Sequence, residues 1–293
     1  MRSFAIFLGL FAVGFAAMAL LAWPLYDLLT PTWDLKFHRV ANRLGMLVLL
    51  IGFILLARRL RVADRASLGY GLRRSDWLRE SLLGLALGVA TMLPIALVMF
   101  ATGLRTLKPE FALDMVLLAQ LALGGLATGI TVAFIEETFM RGAMHTAIER
   151  ESGTTAAIVL TALLYSAVHF VGRYRIPVEE LGYDSGLRHV LGTLADFAAP
   201  LDIIDAFLAL AAVGVLLGMV RALTGNIAAC VGLHAGWVWV IAFMRASSAP
   251  NELHPVRFLL SDFDGVVGWL VLAATGVIGL VLIPFYAKRQ QAL

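Results

Sequence analysis

Residues 115–135 read MVLLAQLALGGLATGITVAFI, and the chain continues as EETFMR from Glu136 to Arg141. About 20 mostly apolar residues are enough for a helix to cross the hydrocarbon core of a bilayer. Two carboxylates and a guanidinium therefore follow directly on a predicted membrane span. A charged side chain near the bilayer centre costs roughly 3 kcal/mol, and such side chains usually face the protein interior or a wet cavity. This charged segment is therefore predicted to be functional.

The composition of the whole chain is typical of a multi-spanning membrane protein. Its 293 residues are 60% hydrophobic and only 15% charged, with a mean hydropathy of +0.87. Soluble domains are rarely so apolar. The predicted fold class is all-α, a polytopic transmembrane helix bundle of about eight spans. The predicted spans are 4–26, 40–57, 81–103, 115–148, 154–172, 201–223, 225–244 and 265–287.

Three parts are predicted along the chain. Residues 1–110 hold N-terminal transmembrane segments and a basic loop at 58–80, residues 111–245 form the core, and residues 246–293 hold a loop and the last span. The polar connection 172–200 is predicted to be a surface loop, with a lid or recognition element as the alternative. Glycines spaced four apart predict close helix packing at four places. These pairs are Gly84/Gly88, Gly125/Gly129, Gly214/Gly218 and Gly232/Gly236.

The charge distribution favours contact with lipid headgroups. The formal net charge is +3, and the basic residues lie mainly in the connections between apolar segments, so no nucleic-acid partner is predicted. The basic loop 58–80 predicts a cytoplasmic side, which places both termini of an eight-span chain in the cytoplasm. Cys230 is the single cysteine, which excludes an intramolecular disulfide and a CxxC metal or redox site.

Two histidines accompany the charged segment. Glu136 and His169 are equally far from a turn predicted at Ser152-Gly153, about 24 Å of helix at 1.5 Å per residue. A helical hairpin would therefore bring them to one depth. The segment from 115 to this turn exceeds a single crossing and is expected to protrude, tilt or break near Gly124-Gly125.

The second histidine, His234, lies about 14 Å of helix beyond a turn candidate at 224–226. Gly232 and Gly236 flank it, so that another helix can approach closely. We therefore expect His234 to meet Glu136 and His169 inside the bundle. The other histidines are left out: His145 lies on the opposite helix face from Glu136, and the rest are predicted to lie at the surface. These are His38, His189 and His254.

Helical spacing separates the roles of the acidic residues. Glu137 and Arg141 are four residues apart and can form an ion pair on one face. Glu136 points about 100° away, so it lacks a neighbouring cation and is suited to act as a general base on water. His169 would share the proton or orient the water, and His234 would donate a hydrogen bond to the developing oxyanion.

Three alternatives to a metal-free hydrolase stay open. The first alternative is a zinc enzyme, because Glu136, His169 and His234 are acceptable zinc ligands. No HExxH pair is present, so our first prediction is that the protein has no cofactor. A non-enzymatic scaffold or immunity protein would use the polar cluster for packing. A transporter is less favoured because no repeat symmetry is visible. Nucleophilic serine chemistry is disfavoured because there is no GxSxG motif.

These motifs resemble the CPBP family, also called Abi or CAAX-protease-like, which includes the type II CAAX prenyl endopeptidases and bacteriocin-related bacterial proteins. The family pattern is EExxxR, then aromatic-xxx-His, then His-xxx-Asn or His-xxx-hydrophobic, each on a transmembrane helix. Glu136 to Arg141 match the first motif, Tyr165 and His169 the second, and His234 the third. The resemblance covers about 115–245.

The resemblance implies an intramembrane endopeptidase of the bacterial inner membrane, acting on a membrane protein or a lipid-anchored peptide. Glu136 and His169 would activate water, Glu137 and Arg141 would hold the helix pair, and His234 would help form the oxyanion site. One position departs from the prenyl-protein peptidases, which carry Asn where this chain has Val238. Either the substrate class differs, or Asn226 or backbone groups compensate for the missing donor. The oligomeric state is not predicted.

Overall fold

The computed structural model of the chain describes residues 1–111, 114–171 and 173–291, and these form a helical membrane bundle. The predicted fold class is therefore confirmed. In chain order the helices are α1 (Arg2–Leu29), α2 (Phe37–Ala57), α3 (Arg74–Ala101), α4 (Met115–Glu137), α5 (His145–Ser152), α6 (Thr154–His169), α7 (Ser185–Ala195), α8 (Ile204–Thr224), α9 (Ala228–Ser247) and α10 (Trp269–Gln291).

Each of the eight predicted spans coincides with a helix. Within the described part of the chain, six helical stretches are long and apolar enough to cross a membrane: α1, α2, α3, the continuous stretch Met115–Ser152, α8 and α9. The other two predicted spans correspond to shorter apolar helices, α6 and the segment Trp269–Phe285 of α10. The connection 172–200 is not a plain loop, because it contains α7.

The fourth span does not break at Gly124-Gly125, because α4 is helical throughout Met115–Glu137. The change in geometry comes later, at a π-helical segment, Thr138–Met144, that joins α4 to α5. Segments of π-helix are rare and often occur at functional sites. This one begins directly after Glu137, so the charged motif lies at the point where the helix widens. The turn at Gly153 is present as predicted, with a φ of 84° that favours glycine.

Glycines set the positions of α3, α4 and α9. A Cβ atom on Gly84 would lie 2.5 Å from the carbonyl oxygen of Ala229, and one on Gly129 would lie 2.6 Å from that of Ala235. Helix α9 is thus held against both α3 and α4 with almost no space for side chains. The predicted glycine packing is confirmed, since Gly214 also lies against Ala162 of α6.

The two ends of the bundle are polar. At one end, the amide of Arg2 donates to Oε1 of Glu151 at 2.7 Å, which places the start of α1 beside the α5–α6 turn. At the other end, strand β1 (Arg105–Leu107) pairs antiparallel with β2 (Ser248–Pro250), with Arg105 opposite Pro250. The predicted core histidines lie between these ends, on α6 and α9.

Candidate functional site

Glu137 and Arg141 form the predicted ion pair at the centre of the bundle. Arg141 Nη1 lies 3.1 Å from Glu137 Oε1, and both side chains are fully buried. Arg141 Nη2 also donates to the carbonyl oxygen of Gly214 on α8, at 3.3 Å. Its guanidinium carbon lies 4.4 Å from the ring centroid of Tyr165 on α6. One arginine therefore connects the π-helical segment to α4, α6 and α8.

His234 of α9 lies between the two adjacent glutamates. Its Nδ1 atom is 2.8 Å from Glu137 Oε1, and its Nε2 atom is 3.9 Å from Glu136 Oε2. A carboxylate accepts hydrogen bonds, so Nδ1 donates to Glu137 and Nε2 faces Glu136. The contact with Glu137 was missed by the sequence reasoning. The glycines beside His234 predicted a close neighbour, but helical spacing within α4 cannot say which carboxylate that is.

His169 ends α6 and lies across Tyr165 from His234. Its Nδ1 atom is 2.7 Å from the carbonyl oxygen of Tyr165, which assigns the proton to Nδ1 and leaves Nε2 as an acceptor. The ring of Tyr165 is 4.5 Å from that of His169 and 6.0 Å from that of His234. Tyr165 therefore joins His169 to His234, which itself lies beside both glutamates.

Glu136 is the least constrained member of the group. Its side chain is 33% exposed, whereas that of Glu137 is fully buried. Nevertheless its Oε2 atom is enclosed and has no hydrogen-bond partner among the described residues. The two glutamates therefore differ in environment: Glu137 is held by a cation and an imidazole, and Glu136 keeps a free acceptor oxygen.

A cavity of about 330 Å³ opens beside this group. Tyr165, His169 and His234 line it together with mainly apolar side chains, among them Val238, Ile241 and Val271. Glu136 is not one of the lining residues, and its Oε2 atom lies 3.9 Å from Nε2 of His234. The three predicted catalytic residues thus belong to one cluster, of which the two imidazoles face the cavity directly.

Residues 118–240 match the family model described as type II CAAX prenyl endopeptidase Rce1-like. The family resemblance is confirmed. The matched Rce1-like segment contains Glu136, His169 and His234 and lies within the predicted core 111–245. No curated protein and no solved structure gives a match. The match is to a protease family, which supports peptidase activity of the CAAX-protease type, and the apolar helices support an integral membrane protein.

The position that departs from the prenyl-protein peptidases lies at the cavity. Val238 lines the cavity, and its side chain has no hydrogen-bond donor. The predicted compensation by Asn226 is wrong. Asn226 lies at the start of α9, where Nδ2 donates to Glu80 Oε2 at 2.9 Å and Oδ1 accepts from the amide of Ala228 at 2.8 Å. Its polar atoms are therefore used in fixing the helix end.

The remaining histidines lie outside this cluster. His145 is fully buried in α5 and is not a lining residue. The prediction that His189 lies at the surface is wrong, because His189 is fully buried on α7, with Nε2 3.1 Å from Asn42 Oδ1 of α2. Burial, with the nearby charges of His38 and Arg175, lowers the pKa of His189 to about 4. His38 and His254 are half-buried.

The carboxylate and imidazole atoms of the cluster are of the kinds that bind zinc. Within the ranges that the structure describes, no group of three or more His, Cys, Asp or Glu residues is placed to hold a metal ion. His234 directs Nδ1 to Glu137, and His169 directs Nδ1 to a backbone carbonyl. Each imidazole therefore keeps Nε2 as an acceptor, an arrangement that metal-ligating histidines also show.

Proposed function

We propose that the protein is an intramembrane endopeptidase that hydrolyses a peptide bond of a membrane-associated substrate with water activated by Glu136 and His169. One observation carries this proposal: two differently held carboxylates and two imidazoles meet beside a mainly apolar cavity. Placing charged and ionisable groups inside membrane-spanning helices costs free energy, and such groups usually serve a function.

The two glutamates have different roles in this proposal. Glu137 binds Arg141 and His234, so its negative charge is compensated and its role is to position the imidazole. Glu136 is partly exposed, and its Oε2 atom makes no hydrogen bond among the described residues, so the carboxylate remains available as an acceptor. A general base needs such an acceptor within hydrogen-bond reach of the water, in the complex with substrate. Glu136 therefore suits the base, and His169, with Nε2 left as an acceptor, suits the orientation of the water.

The proposed reaction is a water addition followed by loss of the amine. Glu136 takes one proton from the water as the oxygen bonds to the substrate carbonyl carbon, and the carbonyl electron pair moves to its oxygen. The carbon–nitrogen bond then breaks, and Glu136 returns the proton to the leaving nitrogen. One water is consumed, and the enzyme ends in its starting protonation state.

The cavity favours a substrate that brings an apolar chain. Its walls are mainly aliphatic and aromatic, and it lies among helices that cross the membrane. We propose a lipid-anchored peptide, or a membrane protein segment, as the substrate. We also propose that the chain resides in a bacterial inner membrane with both termini in the cytoplasm, because the basic loop 58–80 favours that side.

The decisive experiment compares Glu136→Gln with the parent chain, each purified at full length and reconstituted in lipid nanodiscs. The probe is a quenched fluorescent peptide that carries a prenylated cysteine near its carboxyl end. A second probe lacks the prenyl group. Loss of cleavage by at least about 1000-fold is expected, since the base is removed. Glu179→Gln on the exposed connection is the matched control. Full turnover by Glu136→Gln would remove the proposal.

Metal independence is part of the proposal and needs its own measurement. The parent protein should keep its rate after dialysis against a chelator, and metal analysis should find less than one equivalent of zinc. A rate that falls on chelation and returns with zinc would favour the metal-dependent alternative. A triple substitution of Glu136, His169 and His234 that preserves the cellular phenotype would favour the scaffold alternative.

A further inference from the structure

This inference deepens the proposed function and rests on it. Addition of water to a carbonyl places negative charge on its oxygen, and a donor must be aimed at that oxygen. Near Tyr165, several donors are already used. His234 Nδ1 donates to Glu137, and Arg141 donates to Glu137 and to the Gly214 carbonyl. Val238, one turn after His234, has no donor.

Tyr165 has the donor that these groups lack. Its side chain is 2% exposed and lines the cavity, yet its hydroxyl makes no hydrogen bond to any residue that the structure describes. Buried tyrosine hydroxyls usually have a partner. The hydroxyl is also not one of the enclosed unpartnered atoms, so it can be reached from the cavity.

The ring of Tyr165 is held in place from three sides. It lies between His169 and His234, with centroid distances of 4.5 and 6.0 Å, and the Arg141 guanidinium lies over its face at 4.4 Å. A donor fixed before the reaction stabilises developing charge without reorganisation, which is the requirement for an oxyanion site. The packing of the ring therefore preorganises its hydroxyl.

We propose that the Tyr165 hydroxyl donates the oxyanion hydrogen bond during hydrolysis. The phenol keeps its proton throughout. It donates a hydrogen bond while the carbonyl electron pair resides on oxygen, and the bond weakens when that pair returns and the carbon–nitrogen bond breaks. Tyr165 is thus a catalytic residue in addition to a packing residue.

The test is Tyr165→Phe in the full-length protein, with the prenylated quenched peptide as probe. Phenylalanine keeps the ring and its contacts with Arg141, so only the hydroxyl is lost. We expect kcat to fall by about 100-fold with KM changed less than about twofold, because the bond forms in the transition state. Tyr183→Phe is the matched control, since Tyr183 is 94% exposed.

A second variant tests whether the missing function is a hydrogen bond. Val238→Asn adds an amide donor on the cavity lining, and in the Tyr165→Phe background it should restore kcat by at least about tenfold. Loss of kcat with rescue supports the inference. A Tyr165→Phe protein with kcat within twofold of the parent overturns it and leaves the proposed peptidase intact. A parent protein that cleaves neither probe overturns the proposed function and this inference together.

Discussion

Glu137 Oε1 lies 2.8 Å from His234 Nδ1 and 3.1 Å from Arg141 Nη1, with both glutamate and arginine fully buried. One carboxylate oxygen therefore accepts hydrogen bonds both from Arg141 of the π-helical segment and from His234 of α9. Its neighbour Glu136 approaches the opposite nitrogen of the same imidazole, at 3.9 Å. Two consecutive residues of identical type are thus separated into a positioning group and a proposed base by the direction in which the helix points them.

Removal of the Glu137 carboxylate should destabilise the fold. Glu137→Leu leaves the buried Arg141 guanidinium without its counter-ion, and breaking a buried pair costs about 3 to 5 kcal/mol. Unfolding in a detergent titration should report this loss. The double variant Glu137→Leu/Arg141→Met should recover part of it, because no charge is then left unpaired. Equal stabilities of the single variant and the parent would contradict the structural role given to this pair.

Packing of α3 against α9 depends on glycine at position 84. A Cβ there would lie 2.5 Å from the Ala229 carbonyl oxygen, so Gly84→Ala forces the two backbones apart. We expect a loss of about 1 to 3 kcal/mol, as for other overpacked sites. Gly124→Ala on α4 is the control, because a Cβ there meets nothing within 4 Å. The melting temperature should fall for the first variant only; parallel changes in both would be inconsistent with the close contact.

The stability of the α7 region should fall in acid. In the folded protein, burial lowers the pKa of His189 to about 4, whereas in the unfolded chain the pKa of this side chain is about 6.5. Between about pH 4 and 6.5 the unfolded state therefore binds more protons than the folded state. The free energy of unfolding has its full value above about pH 6.5 and decreases as the pH falls toward 4. Thermal unfolding from pH 7.5 to 4.5 measures this slope.

The control for this pH dependence is His189→Gln, which keeps a side-chain amide that can meet Asn42 but cannot take up a proton. Its unfolding should depend less on pH between 6.5 and 4.5 than that of the parent. If the two slopes are the same, the acid sensitivity arises from other groups.

Filling the cavity should slow the reaction without unfolding the protein. Ala242 lies on α9 about two turns beyond His234 and lines the cavity. Ala242→Phe should lower kcat/KM for the prenylated peptide by roughly tenfold or more, since a pocket that is too small rejects its substrate. Ala86→Phe, on the exposed face of α3, should leave the rate unchanged. An unchanged rate for Ala242→Phe would show that the substrate does not bind in this cavity.

The sequence by itself determined the parts that depend on local rules. Length and hydropathy placed the apolar helices, because a spanning segment must satisfy its own backbone hydrogen bonds in lipid. Four-residue spacing paired Glu137 with Arg141, and glycine at 153 supplied the turn. Small residues marked the contact faces of α3, α4 and α9. The three family motifs could be recognised without any knowledge of distances.

Only the tertiary structure decided which faces meet. Three contacts join residues on different elements: His234 with Glu137, His189 of α7 with Asn42 of α2, and Asn226 with Glu80 of α3. Their formation depends on the rotation and depth of each helix relative to its neighbours. Apolar surface gives little preference for one orientation within lipid, so these quantities follow from packing of all helices together and not from the pattern along any one of them.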